Sequence, residues 1–388
     1  MTVSRKPRSL PDEQKLRLWG GGWALALTFA ATVLAAGGTL YGLVVLLDFQ
    51  KIDTTAKLDA RTLFDLVKLS FGVVAGAGAL VALVVAYRRQ RVDEAGAHRE
   101  ATRLHTERFS QAVDKLGSDS PAVRLGGVHA LAGLADDAPD DSLRQTCIDV
   151  LCAYLQLPFT PDPGTDPAHQ DEHHRYLAFR KVRHTILRLI GDHYRRPKGT
   201  HRSWQSCDLD LTGVTIDGNI DFQSAEFSGS TVSFTGAEFS GSTVYFSGAT
   251  FSSSTVLFGD ATFSGSTVYF SGATFSDGTV SFIRAEFSGG DVAFHGAEFS
   301  GSSVEFSSAE FSGGTVDFRG ATFSGGTVYF RGATFSGGTV YFRGATFSDG
   351  TVHFDDATGA VPQGLLTAVG TPPHAGVTLP AAWLLSAP

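Results

Sequence analysis

Residues 328–347 read VYFRGATFSGGTVYFRGATF, a stretch that nearly copies itself after 12 residues. From residue 220 to residue 357 the unit is AxFSGxTVxFxG. One phenylalanine series starts at Phe227 and recurs every 12 residues to Phe347, and a second runs from Phe222 to Phe354. Together they hold 23 of the 30 phenylalanines. An alanine stands two positions before each member of the first series (Ala225 to Ala345). A valine, or Ile220 at the start, stands two before each member of the second. The elementary cell is small residue, any residue, large apolar residue, with the large residues stepping alternately by 5 and 7. Self-similarity at a short fixed period is the mark of a solenoid, in which each turn buries its inner face against the next.

This pattern resembles the pentapeptide-repeat family, and the preceding CDLDLTGVTI strengthens the likeness, since Leu209 with Leu211 and Val214 with Ile216 keep the same pairing at a five-residue step. The resemblance implies a right-handed, four-sided β-helix with the small and large residues both pointing inward. The 7-residue steps depart from the family's strict period. They are read as coils of about 24 residues with two opposite corners widened by Ser/Gly turns. Segments 108–135 and 182–197 (RFSQAVDKLGSDSPAVRLGGVHALAGLA and VRHTILRLIGDHYRRP) are similar to the region preceding the repeats in membrane-tethered actinobacterial members. The similarity extends over residues 107–383 and implies architecture more than activity.

Room inside the coil agrees with the longer turn. A 12-residue coil would have to hold two phenylalanines and a valine within a very thin tube. A 24-residue coil lets four phenylalanines stack in columns at the roughly 4.8 Å spacing of paired strands. The rings are therefore a core-building device, and function falls to the outward positions. An uncharged tail containing LPAAWLL is expected to close the last coil, whose edge and rings would otherwise be exposed.

The rest of the chain speaks to place. Three cysteines (Cys147, Cys152, Cys207) form neither a disulfide framework nor a zinc-finger spacing, so reduced thiols are expected. Residues 18–47 and 69–87 carry no charge, and each stretch is long enough to cross a bilayer. The first is also longer than the apolar region of a cleaved signal peptide. Arg5, Lys6, Arg8, Lys15 and Arg17 precede the first span, and Arg88, Arg89 and Arg91 follow the second. In the intervening loop Lys51, Lys57, Arg61 and Lys68 are offset by four aspartates. That asymmetry puts both termini in the cytoplasm. Gly38 with Gly42 and Gly72 with Gly76 form GxxxG pairs, which open a route to homo-oligomers.

Between spans and repeats the pattern is helical. A stalk helix carries Val92, Ala101, Leu104, Phe109, Ala112, Val113 and Leu116. The next helix has Ser120 as N-cap and Pro121 at its first position, and others fit residues 143–155 and 168–194. In the last of these, His169, Glu172 and His173 match the HxxEH of inverted zinc metalloproteases, without an identifiable third ligand. The same helix and its continuation are basic over residues 175–202, with Asp192 as the lone acid. That face is read first as solvated and next as lipid-binding, with nucleic-acid contact and pairing with the first coil as the other readings.

From Asp208 to Asp356, 17 acids against four arginines leave a net charge of -13, while the whole chain carries -8. Glu226, Glu238, Glu286, Glu298 and Glu310 precede first-series phenylalanines, positions that strand alternation turns outward. Glu298, Glu305, Glu310 and Asp317, far along the rod from the basic helix, are the expected interaction surface. The expected organisation is a basic N-terminus (1–17), two transmembrane α-helices (18–87), a cytoplasmic α-helical segment (88–204), the β-solenoid (205–357) and a C-terminal cap (358–388). The expected role is an inner-membrane scaffold for an unidentified protein with a basic surface, with no catalytic, cofactor or metal residues and no direct nucleic-acid binding. The competing readings are an acidic DNA mimic that modulates a topoisomerase, which requires unbroken columns of acids on one face, and a zinc-dependent hydrolase, which requires bound metal.

Overall fold

The computed structural model describes Ala30, Leu34, Gly37, Gly38, Tyr41, residues 60–159 and residues 162–384. The chain divides into two units, Met1–Glu100 and Ala101–Pro388. In the first, the helix α1 (Ala60–Leu116) begins and runs on past the boundary. Residues 69–87 are helical within it, while residues 18–47 lie outside the described residues but for five isolated positions. Several side chains in 69–87 also fall outside the described set. Among the described residues no helix is long and apolar enough to cross a membrane.

The second unit opens with the end of α1, whose Ala112 and Leu116 are buried. Helix α2 (Pro121–Asp136) lies so close to it that a Cβ on Gly127 would sit 2.6 Å from the Leu116 amide nitrogen. Glycine at that position is what permits the approach. Helix α3 (Asp141–Gln156) extends beyond the expected 143–155 because Asp140 caps it, accepting from the Leu143 amide at 2.9 Å. Helix α4 (Gln170–Tyr194) begins after the expected residue 168, since Pro167–His169 form a 3-10 turn. Val182, Ile186 and Ile190, spaced by four, bury one face of α4.

A right-handed β-solenoid of about seven turns follows. One coil shows the plan: short strands Glu226–Ser228, Thr231–Ser233, Glu238–Ser240 and Thr243–Tyr245 form its first to fourth faces. Each strand pairs in parallel with the equivalent one 24 residues on, as in Phe227 with Phe251 and Val244 with Val268. The 24-residue coil holds through the interior. The first coil is one residue shorter (Leu209 against Val232), because CDLDLTGVTI keeps the five-residue step, and the last is one longer (Val352 against Val377).

The two step lengths make two kinds of corner. At the five-residue step, Phe234, Thr235, Gly236 and Ala237 form a tight turn closed by the Ala237 amide on the Phe234 carbonyl at 3.0 Å. At the seven-residue step the chain bends through Ser/Gly, with Gly241 at φ 59° and Gly290 at φ 81°. Wide corners join the first face to the second and the third to the fourth, so they stand opposite each other, as expected. Thr279 lies in the strand Gly278–Ser281, outside the core on the second face and not at a corner.

The phenylalanines fill four columns. In the column of Phe282, successive rings are parallel and 4.7 Å apart, and the neighbouring column meets them edge-on at about 6 Å (Phe270 at 6.0 Å, Phe294 at 5.9 Å). Offset stacks and edge-to-face contacts are the arrangements the ring quadrupole favours. Every ring in the middle of a column is buried.

Both open ends of the solenoid are closed by the chain itself. At the first coil, side chains replace the missing strand: the Gln145 amide donates to the Asp208 carbonyl at 2.8 Å and accepts from the Asp208 amide at 2.9 Å, and Gln156 donates to the Asp210 carbonyl at 3.0 Å. Arg183 does the same at the Thr215 carbonyl, 3.2 Å. At the other end Trp383, on the short helix Ala381–Leu384, lies 5.6 Å from both Phe335 and Phe354 and donates to the Gly359 carbonyl at 3.1 Å. Unpaired strand edges recruit other chains, and these caps prevent that.

Candidate interaction surface

The ladder registers decide which outward residues are neighbours. On the third face the position before the inward residue runs Thr215, Glu238, Thr262, Glu286, Glu310, Thr334, Thr358. On the first face it runs Glu226, Thr250, Thr274, Glu298, Thr322, Thr346. Acids in both columns are broken by threonines, and within them Glu286 and Glu310 are the one adjacent acidic pair. Like charges directly opposite on paired strands repel, and interposed threonines relieve that. The unbroken row of acids that duplex mimicry requires does not form in either column.

The four acids expected to make one surface are distributed around the coil. Glu298 is on the first face and Glu305 on the second, at the two ends of the continuous strand Glu298–Glu305 that passes through a wide corner. Glu310 is on the third face and Asp317 on the fourth. Residues five to seven apart sit on successive faces, so proximity in sequence separates them in space. Asp317 is also not free, contrary to expectation. Arg319 grips it with Nε to Oδ1 at 2.8 Å and Nη2 to Oδ2 at 2.6 Å, and the residue is 8% exposed. Burial alone would raise its pKa, but the hydrogen bonds from Arg319 prevail and lower it. Among the described residues Glu286, Glu298, Glu305 and Glu310 make no ion pair.

The basic helix is engaged with the first coil and is not merely a solvated face. Arg180 Nε donates to Asp217 Oδ2 at 2.6 Å, His184 Nε2 lies 3.1 Å from Oδ1, and Arg195 Nη1 donates to Asp221 Oδ2 at 2.9 Å. Desolvation would raise the Asp217 pKa, but the hydrogen bonds from His184 and Arg180 outweigh it and bring it down to about 2. Gly191 permits the close docking, since a Cβ there would meet the Asp221 carbonyl oxygen at 2.6 Å. Sequence reasoning missed the hub behind this interface. Asp136 accepts from Trp204 Nε1 at 3.2 Å and faces His193 Nε2 at 3.2 Å, with the His193 and Trp204 rings stacked 4.0 Å apart. Nothing in the local sequence links residues so far apart.

The HxxEH residues take structural places. His169 belongs to the 3-10 turn, and His173 Nδ1 lies 2.7 Å from Asp162 Oδ1, tying α4 to the linker before it. Among the described residues no group of three or more His, Cys, Asp or Glu side chains is arranged to hold a metal ion. The cysteines are free and buried, and burial pushes the Cys147 and Cys152 thiols up to about 12.

A family model of pentapeptide repeats, in 9 copies, matches residues 211–257 and 325–358, at the two ends of this solenoid. No curated protein and no solved structure matches the chain.

Proposed function

We propose that this chain uses its pentapeptide-repeat solenoid as a non-catalytic scaffold, held at the inner membrane by two spans at residues 18–47 and 69–87 with both termini cytoplasmic, to bind a protein with a basic surface. The observation that carries the binding role is the uneven distribution of counterions. Asp217 and Asp221 of the first coil are paired with Arg180 and Arg195 of the basic helix and its continuation, whereas Glu286, Glu298, Glu305 and Glu310 farther along make no ion pair among the described residues. Farther along, Asp260, Asp317 and Asp355 are paired with Arg284, Arg319 and Arg331, so these four glutamates remain as uncompensated charge that the middle of the rod presents to a partner. Broken acidic columns count against the DNA-mimic alternative, and the tethered position would also keep such a mimic away from DNA.

Two experiments test this reading. A periplasm-only reporter fused after Pro388 should stay silent, and strong activity would refute the topology. The full chain as bait in a membrane extract should retain a partner that is released by salt, because exposed charges are screened beyond about 8 Å at physiological ionic strength. Reversing Glu286 and Glu310 to lysine tests the third face, and Glu298→Lys tests the first. Retention unchanged in both variants would refute the acidic surface. Inhibition of a topoisomerase by the wild-type chain that disappears in the variants would instead establish the mimic.

A further inference from the structure

We propose that a cleft on the helical cap, between α2, α4 and the linker that follows α3, binds a small organic phosphate whose body is a flat ring. The cleft encloses about 450 Å³, within the range of small-ligand sites. Arg124, Arg175 and Arg183 line it together with Phe159, Tyr176 and Phe179, and Glu172 is the one carboxylate among its lining residues. Glu172 and Arg175 are both exposed, which places them toward solvent.

The argument starts from the cations. Arg183 is 4% exposed, yet its Nη1 donates to the Leu155 carbonyl at 2.8 Å and its Nη2 to the Thr215 carbonyl at 3.2 Å, both neutral acceptors. Arg124 Nη1 donates to the Tyr154 hydroxyl at 3.1 Å, and its Nε to the Ser118 carbonyl. Among the described residues Arg124, Arg175 and Arg183 make no ion pair. The grooved surface on the other side of α4 is different, because its Arg180 and Arg195 are paired with Asp217 and Asp221. A guanidinium has five N–H donors. Among the described residues Arg124 and Arg183 commit two each to the protein, which leaves three N–H groups on each without a protein acceptor.

Arg183 is buried on neutral acceptors, and Asp217, the carboxylate that acts on it, makes no ion pair with it, so the cation calls for an anion. Convergent guanidinium forks match the several oxygens of a phosphate better than a single carboxylate. The apolar walls supply the second half of the specificity. Arg183 lies 4.9 Å over the Phe159 ring and Arg124 4.7 Å over Phe179, which holds both forks in place. Phe159 and Tyr176 are themselves stacked at 5.2 Å, so an aromatic wall adjoins the cations. A ring carrying a phosphate satisfies both features, whereas inorganic phosphate satisfies only one.

The test is calorimetric titration of the purified full chain with adenosine 5′-monophosphate, phenyl phosphate, adenosine and inorganic phosphate. The two aromatic phosphates should bind at least about tenfold more tightly than inorganic phosphate, and adenosine should give no measurable heat. Arg175→Glu, at an exposed position that leaves the fold intact, should weaken both aromatic phosphates about tenfold or more, and Arg124→Gln should do the same. Lys181→Glu, lining the other groove, should leave them unchanged. No heat from either aromatic phosphate, or binding unaffected by Arg175→Glu, would overturn the proposal. So would binding of phosphatidic acid vesicles with no heat from adenosine 5′-monophosphate, which would assign the cations to a lipid headgroup.

Discussion

Replacing Phe282 with alanine is the sharpest test of the core. The ring is fully buried, lies parallel to Phe258 and Phe306 at 4.7 Å on either side, and is met edge-on by Phe270 and Phe294. Removing a buried phenylalanine costs about 3–5 kcal/mol, depending on how far the surroundings collapse into the void. Collapse is restricted here, because the coils above and below are held by ladders on all four faces, so the upper part of that range, about 4–5 kcal/mol, is expected. Two stacking contacts worth about 0.5–1.5 kcal/mol each are part of that loss. A solenoid is coupled only through neighbouring coils, so the two halves should also melt less cooperatively. Urea and thermal unfolding of the full chain, followed by circular dichroism, give the measurement. Thr279→Ala, outward on the same coil, should stay within about 0.5 kcal/mol. Phe347, at the end of its column with one stacked neighbour and 9% exposure, should cost about half as much as Phe282 when truncated. Equal losses for Phe282→Ala and Thr279→Ala, or for Phe282→Ala and Phe347→Ala, would refute the stacked-column account.

Gly290→Ala should cost about 2 kcal/mol or more by urea titration, because φ is 81° and the new Cβ would collide with the Ser266 backbone. Gly296→Asn, at φ 64° in open space, should cost less than about 1 kcal/mol. The depressed Asp217 pKa means that its pairing with Arg180 and His184 contributes fully above about pH 4 and is lost as pH falls toward 2. Stability measured over that window should drop by about 2 kcal/mol in the wild type, and Asp217→Asn should lack this component. With the Cys147 and Cys152 thiols held near 12 and Cys207 near 11 by burial, a thiol reagent at pH 8 should label the native chain slowly and all three cysteines after unfolding. Rapid labelling of the native chain would show the caps to be open.

The inward half of this protein can be read directly from its sequence. Strand alternation is a local rule, so Ala, Val and Phe at every second position have to share the interior, and alternating steps of 5 and 7 require tight and wide corners in turn. The coil length of 24 residues follows from the room that four rings need. The outward half is different, because which exposed residues stand together depends on how the coil closes. Closure puts Glu298, Glu305, Glu310 and Asp317 on four faces, interleaves the acids of a column with threonines from other coils, and leaves Asp317 in the grip of Arg319. The helical cap shows the same division. Apolar spacing announces α4, but the match of Gln145, Gln156 and Arg183 to bare strand edges, and of Arg180 and Arg195 to Asp217 and Asp221, arises only once helix and coil are in contact. Periodicity records what each residue does relative to its own backbone. Partnerships across a surface are set by distances between segments far apart in the chain, and tertiary packing alone decides those.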